Sequence, residues 1–213
     1  MQEELKELMQ NRFEKKFKKY SNKMCTSPYT IVLDLDETLI HCPRNSLTKQ
    51  NRLAFEKNGI MVFELGNGVP VLLRPGFHEF LQAITANFDY IFVFTAATKL
   101  YAKEVVDSIF KGTVVEAVWS REHCYIEKAP NTDEILAVKK LLRGKIHKGF
   151  HLDQDNTLIV DDRDDVSEGN VYAGGGNHFV IKPFTGNSND DELYKLCKYI
   201  AVWKKSKLLP VLK

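Results

Sequence analysis

Residues 29–35, YTIVLDL, form a β-branched apolar run that turns polar at its end, as a buried parallel strand does on reaching its carboxyl edge. Two further apolar runs, 60–65 and 69–74, flank Gly66-Asn67-Gly68, whose residues tolerate positive φ, and this predicts a small peripheral β-hairpin. Pro75-Gly76 then introduces a helical spacing in Phe77, Phe80, Leu81 and Ile84, followed by an apolar strand at 90–94 that ends in Thr95. The pattern continues with a helix over 100–110 stopped by Gly112 and a strand over 114–119. Asn131-Thr132-Asp133-Glu134, a set of capping-type residues, predicts the start of another helix. A strand at 156–160 ends in Asp161-Asp162, a last strand covers 178–181, and a helix over 190–205 closes the pattern. Residues 2–20 read as an amphipathic helix carrying Leu5, Leu8, Met9, Phe13 and Phe17 between charges.

Strands alternating with helices predict an α/β protein built on a parallel sheet with helices on both faces. In such sheets ligands bind beyond the carboxyl ends of the strands, and Asp34, Thr95 and Asp162 all fall at such ends. A chain of 213 residues, 44% hydrophobic, suits one core: a helical extension over 1–27 and one domain over 28–213. Thirty basic against twenty-eight acidic residues leave a formal charge of +2, which gives no footing for direct nucleic-acid binding. The basic run Lys15-Lys16-Phe17-Lys18-Lys19 reads as a solvated helix face. Cys25, Cys42, Cys124 and Cys197 form no CxxC pair, so reduced thiols in an intracellular protein, nuclear or cytoplasmic, are expected. No apolar leader and no run of membrane-spanning length is present, so neither export nor a membrane partner is expected.

Asp34-Leu35-Asp36-Glu37-Thr38 puts two carboxylates two residues apart just as the chain leaves a buried strand, and Asp161-Asp162 does the same after LIV. Carboxylates converging on one sheet edge repel one another unless a hard divalent cation neutralises them. Oxygen ligands without a histidine cluster point to magnesium.

The motifs DLDET, FTAAT and IVDDRDD, a later lysine, SREHC at 120–124 and LLRPG before a helix stand in the order found in one family. The chain resembles, from about residue 28 to 205, the Fcp/Scp-type phosphatases of the haloacid dehalogenase superfamily. The resemblance implies a Rossmann-like sheet with a small β-hairpin insertion and no large cap domain. It makes Asp34 the nucleophile that forms an aspartyl-phosphate, with its other oxygen on Mg2+. Asp36 becomes the general acid and base, its backbone carbonyl completing the metal site. Asp162 becomes the side-chain metal ligand, oriented by Asp161. Thr95 would hydrogen-bond a phosphoryl oxygen, and a lysine would neutralise charge on the transferring group. Lys128, just ahead of the helix expected at Asn131, stands near the carboxyl edge, whereas Lys145 beyond that helix stands at the far edge. The family's valine-lysine-aspartate-leucine run is matched better by Val138-Lys139-Lys140-Leu141, which keeps Lys139 open beside Lys128. Thr38 and Tyr101 are expected to contact substrate, Tyr101 because it matches a position lining the family's peptide groove. Arg74 and Arg121 are as readily surface ion-pair residues as substrate contacts.

Members of the superfamily that act on metabolites usually carry a cap domain, and neither the 38–95 nor the 95–128 interval leaves room for one. An uncapped site suits a phosphoserine or phosphothreonine on a protein or peptide. The alternatives are a binding module without catalysis, which the presence of both Asp34 and Asp36 disfavours, and a small-molecule phosphatase.

Overall fold

The computed structural model describes residues 28–43, 47–130, 133–140, 152, 155–166 and 177–208. The helix expected at 2–20, the whole 1–27 extension and Lys145 lie outside the described residues.

The central sheet grows around β1 (Thr30–Leu33), whose four residues are all buried, as a strand covered on both faces requires. On one side it pairs in parallel with β5 (Tyr90–Phe94), Thr30 facing Tyr90 and Leu33 facing Val93. On the other it pairs in parallel with β9 (Thr157–Asp161), Leu33 facing Val160. Adding β6 (Ala117–Trp119) and β10 (His178–Val180) gives five parallel strands in the order β10-β9-β1-β5-β6. The chain runs outward from β1 toward β5 and β6, then returns to its other flank with β9. The order therefore reverses beside β1, where parallel sheets open a crevice at their carboxyl ends.

Successive side chains in a strand point to opposite faces. Ile31, Leu33, Ile91, Val93, Leu158 and Val160 join the larger core cluster. Against it lie three helices, here α2 (Phe77–Asn87), α3 (Lys99–Ile109) and α4 (Glu192–Leu208). Val32, Phe92, Phe94 and Ile159 point the other way into a smaller cluster. There Trp119 stacks on Phe92 with ring centroids 4.9 Å apart, and Val166 and Leu152 complete the described cover. Gly76, which opens α2, packs against Tyr194 of α4: its φ is 78°, and a Cβ there would stand 2.8 Å from Tyr194 Cε2, so any other residue is strained and must push the Tyr194 ring away.

Between β1 and α2 the chain builds an antiparallel sheet, β2 (Ile40–His41), β3 (Val62–Glu64) and β4 (Pro70–Leu73), in the order β2-β4-β3. This is the expected hairpin enlarged by one strand. It is preceded by a helix that the hydrophobic pattern does not announce, α1 (Lys49–Lys57), capped by the Thr48 hydroxyl accepting the Asn51 N–H at 3.2 Å. None of its residues is fully buried; Phe55 reaches a small cluster formed by Ile60, Val62, Leu72 and Phe184.

The helix expected from Asn131 onward is corrected by the structure. Residues 131–132 lie outside the described ones, and β7 (Tyr125–Lys128) pairs antiparallel with β8 (Ile135–Lys139). Capping residues mark turns as readily as helix starts, and cross-strand partners decide the matter here. Ile126 faces Val138, and Lys139 Nζ reaches Glu127 Oε2 at 2.6 Å.

Candidate active site

Asp34 follows β1 directly and its backbone N–H donates to Val160 C=O at 3.0 Å, so the pairing with β9 continues one residue past the strand and fixes Asp34 at the carboxyl edge. The chain then reverses in a tight turn in which Leu39 and Ile40 both donate to the Leu35 carbonyl, at 2.8 and 3.1 Å. Glu37 takes the left-handed conformation, φ 59°, at a cost of about 1–2 kcal/mol for a residue with a Cβ. Its carbonyl is held by the Phe184 N–H at 2.6 Å and by Arg74 Nη1 at 3.3 Å. The turn swings Thr38 back beneath Asp34. Thr38 is fully buried, and its hydroxyl oxygen accepts the Asp162 N–H at 3.1 Å. That oxygen also lies 3.5 Å from Asp34 Oδ2 and 3.4 Å from Asp162 Oδ1. Thr38 is thus a brace between two strand ends rather than a residue open to a substrate.

Arg74, 1% exposed, binds this turn from behind. Its guanidinium donates to Thr38 C=O at 2.8 Å, to Lys182 C=O at 2.6 Å, and through Nε and Nη2 to the two oxygens of Asp190 at 2.7 and 2.8 Å. It is an internal clamp, neither a surface pair nor a substrate contact. Arg121 donates to Ala96 C=O at 2.8 Å, tying the loop after β6 to the loop after β5.

The other two strand ends supply Thr95 and Asp161-Asp162. Thr95 is buried, and its hydroxyl oxygen accepts the Ala97 N–H at 3.1 Å. Asp161 is buried, and Asp162 is half-buried. Carboxylate oxygens of Asp34, Asp161 and Asp162 lie within 4.8 Å of one another.

The cation among them is Lys140. It follows β8 directly, is 3% exposed, and sets Nζ 2.5 Å from Asp34 Oδ1 and 2.6 Å from Asp161 Oδ2. Lys128 is not brought to the carboxylates: it stands 53% exposed on the hairpin, paired with Asp133 at 2.8 Å. The expectation failed because it assumed a helix running away from the carboxyl edge, whereas the chain folds back as β8 and delivers a lysine at that strand's far end. The valine-lysine-lysine-leucine run pointed within one residue of it; Lys139, on the opposite side of the strand, pairs with Glu127 instead.

Burial pushes the Asp34 carboxyl up to about 7, with Lys140 pulling it down and Asp161 pushing it further up. Burial also raises Asp162, with the Asp161 charge adding to the effect. Burial alone would lower Lys140, but the charges of Asp34 and Asp161 outweigh it and hold the ammonium above its ordinary range. Two of the three clustered carboxylates, Asp34 and Asp161, share the Lys140 ammonium and Asp162 stands beside them. Among the described residues the cluster thus holds more carboxyl groups than cations to pair them, and burial together with that imbalance raises Asp34 and Asp162. An all-oxygen donor set with an excess of carboxyl groups fits a hard divalent cation of the magnesium type.

Asp36 points elsewhere. Its carboxylate is not part of this cluster; Oδ1 accepts the Tyr101 O–H at 2.5 Å, and Cys42 Sγ lies 2.9 Å from the same phenolic oxygen. Burial and the Asp36 charge hold the Tyr101 hydroxyl far above its ordinary range, so it keeps its proton.

A parallel α/β sheet with acidic residues at two adjacent carboxyl ends and a threonine at the third defines a Rossmann-like protein of the haloacid dehalogenase class, with a small antiparallel insertion and no large cap among the described residues. Comparison with known proteins gives the family. Residues 29–208 match the NLI interacting factor-like phosphatases, and the chain belongs to that family. It is 29% identical over 167 residues to a CTD phosphatase-like protein, 355R, of Invertebrate iridescent virus 6, covering 76% of this chain and 89% of the viral one. It is 28% identical over 180 residues to CTD small phosphatase-like protein 3 of Caenorhabditis elegans, covering 82% of this chain and 54% of the relative. The fold is similar to that of Fcp1, described as an essential RNA polymerase II CTD phosphatase, with a TM-score of 0.51 and 21% identity over 84% of this chain and 51% of that one. The chain thus spans about half the length of the worm relative and of Fcp1. Family and relatives indicate a phosphatase. No described helix is long and apolar enough to cross a membrane.

Proposed function

We propose that this protein is a magnesium-dependent phosphatase of phosphoserine or phosphothreonine in proteins, working through an aspartyl-phosphate, an acyl phosphate, on Asp34. The observation that carries the reading is Lys140 Nζ lying 2.5 Å from Asp34 Oδ1 at the carboxyl edge of β1, a fixed positive charge beside the one carboxylate that the family motif makes nucleophilic.

In the first half-reaction an Asp34 oxygen attacks phosphorus and the bond from phosphorus to the seryl or threonyl oxygen breaks. Asp36 gives that oxygen its proton. Thr95, whose oxygen accepts the Ala97 N–H, donates its own O–H to a phosphoryl oxygen, and Lys140 balances the charge spreading over the transferring group. In the second, Asp36 takes a proton from water as the water attacks phosphorus, the bond to Asp34 breaks, and inorganic phosphate leaves. Asp34, Asp162 and the Asp36 carbonyl would hold Mg2+, which when bound supplies electrophilic compensation for the phosphoryl oxygens. Asp161 anchors Lys140 and accepts the Arg163 N–H at 3.0 Å, so it orients the site.

A protein substrate is supported by the uncapped site and by relatives named for CTD phosphatase activity. Cys42, Cys124 and Cys197 stand as thiols outside any disulfide among the described residues, which suits an intracellular setting. The test is phosphate release from p-nitrophenyl phosphate and from a phosphoserine peptide, with and without magnesium, by wild type and Asp34→Asn. Magnesium-dependent turnover lost in the variant is expected. A folded, magnesium-loaded wild type that releases no phosphate would turn the assignment toward a binding module.

A further inference from the structure

We propose that Tyr101 is a positioning residue for Asp36, its phenolic O–H fixing the carboxylate that exchanges protons with the leaving group and with water, and that Cys42 fixes the phenol in turn. The inference rests on the acid and base role given to Asp36 above.

Three elements meet at this point: the turn after β1, the end of β2 and the first turn of α3. Asp36 Oδ1 accepts from Tyr101 at 2.5 Å, the short end of the range for a hydroxyl on a carboxylate. The phenol has one proton and that proton is engaged, so the Cys42 S–H, 2.9 Å away, is the donor to the phenolic oxygen. The hydrogen bonds thus run in one direction, Cys42 to Tyr101 to Asp36 Oδ1, and leave Oδ2 to carry a proton to or from a substrate. Tyr101 is well suited to this because it sits on a helix and its ring is packed against the main core. Asp36, by contrast, lies within a tight turn, and its carboxylate belongs to no other cluster among the described residues.

An aromatic that merely lined a peptide groove would need only its ring. A group that aims a general acid needs its hydroxyl, because the acid has to stand within hydrogen-bond reach of the departing oxygen, and small displacements there are expensive in rate. Tyr101→Phe keeps the ring and removes the hydroxyl, which separates the two.

The experiment compares kcat/KM for p-nitrophenyl phosphate and phenyl phosphate, two substrates of similar size and different leaving-group basicity, in wild type, Tyr101→Phe and Cys42→Ala. This constant reports steps up to departure of the leaving group. Phenolate needs a proton from Asp36 more than nitrophenolate does. Tyr101→Phe is therefore expected to widen the preference for p-nitrophenyl phosphate about fivefold or more, with Cys42→Ala moving it the same way by about twofold. A thermal midpoint close to wild type shows that the fold is kept. An equal loss on both substrates, or no loss on either, overturns the inference while leaving Asp34 chemistry in place. A wild type without turnover removes the role of Asp36 and this inference with it.

Discussion

Replacing Lys140 with methionine keeps the stem of the side chain and deletes the charge. Its ammonium stands 2.5 and 2.6 Å from two buried carboxylates, each contact worth about 6 kcal/mol at an effective dielectric constant of about 20, before the cost of desolvating the partners. The net penalty for removing one member of a buried ion pair is about 3–5 kcal/mol, because the remaining charge is stranded. Stranded carboxylates limit this loss by taking up protons. Asp34 already titrates near 7 in the fold, well above its ordinary value, and losing Lys140 raises it further. A carboxyl raised on folding binds more protons folded than unfolded, so its contribution to stability falls as pH rises from about 4 through the folded value. The metal-free Lys140→Met protein is therefore expected to lie closest to wild type at pH 5.5 and to fall about 3 kcal/mol below it near pH 8, about 6–12 °C in thermal midpoint. Phosphate release with magnesium is expected to fall about 100-fold or more. Lys128→Met, on a half-exposed pair worth about 0–1 kcal/mol, is expected to keep wild-type turnover. Circular dichroism melts at the two pH values and a p-nitrophenyl phosphate assay make the measurement. Retained activity in Lys140→Met together with loss in Lys128→Met, or a stability loss independent of pH, would refute the reasoning.

Arg74→Met is expected to lower stability by about 3–5 kcal/mol, since Asp190 and two carbonyls lose their donors, and Arg74→Lys to recover only part of it, because one ammonium cannot reach both Asp190 oxygens and the Thr38 and Lys182 carbonyls; urea titrations of the three proteins measure the order. Magnesium at about 100 times its dissociation constant is expected to stabilise the wild type by about 2.7 kcal/mol, and Asp162→Asn by much less, in a thermal-shift titration reversed by chelation. An equal shift in both proteins would move the metal away from Asp162.

The strands that carry the site were readable because each is a short, wholly buried run that becomes polar at its carboxyl end. TIVL before Asp34, YIFVF before Thr95 and TLIVD before Asp162 have no exposed face to blur the pattern, so strand ends and chemistry coincide. Helix α1 escaped notice for the opposite reason. With none of its residues fully buried, it has no apolar stripe, and its start is marked mainly by the Thr48 cap. Arg74 was equally opaque: an arginine after an apolar strand looks like any edge residue until Asp190, 116 positions away, is seen to close on it.

Lys140 shows the limit most sharply, because one residue of register decides it. Along a strand, neighbouring side chains leave on opposite sides. Lys139 therefore turns outward to Glu127 while Lys140 turns inward to Asp34 and Asp161. A sequence run of two lysines cannot say which is which unless the segment is known to be extended and the pairing partner is known. The capping residues before it argued for a helix, in which neither alternation nor pairing with Glu127 would arise. What settles the inward lysine is tertiary: β7 fixes the register of β8, and the Asp34–Asp161 pair offers the only fully buried negative charge at the end of it among the described residues.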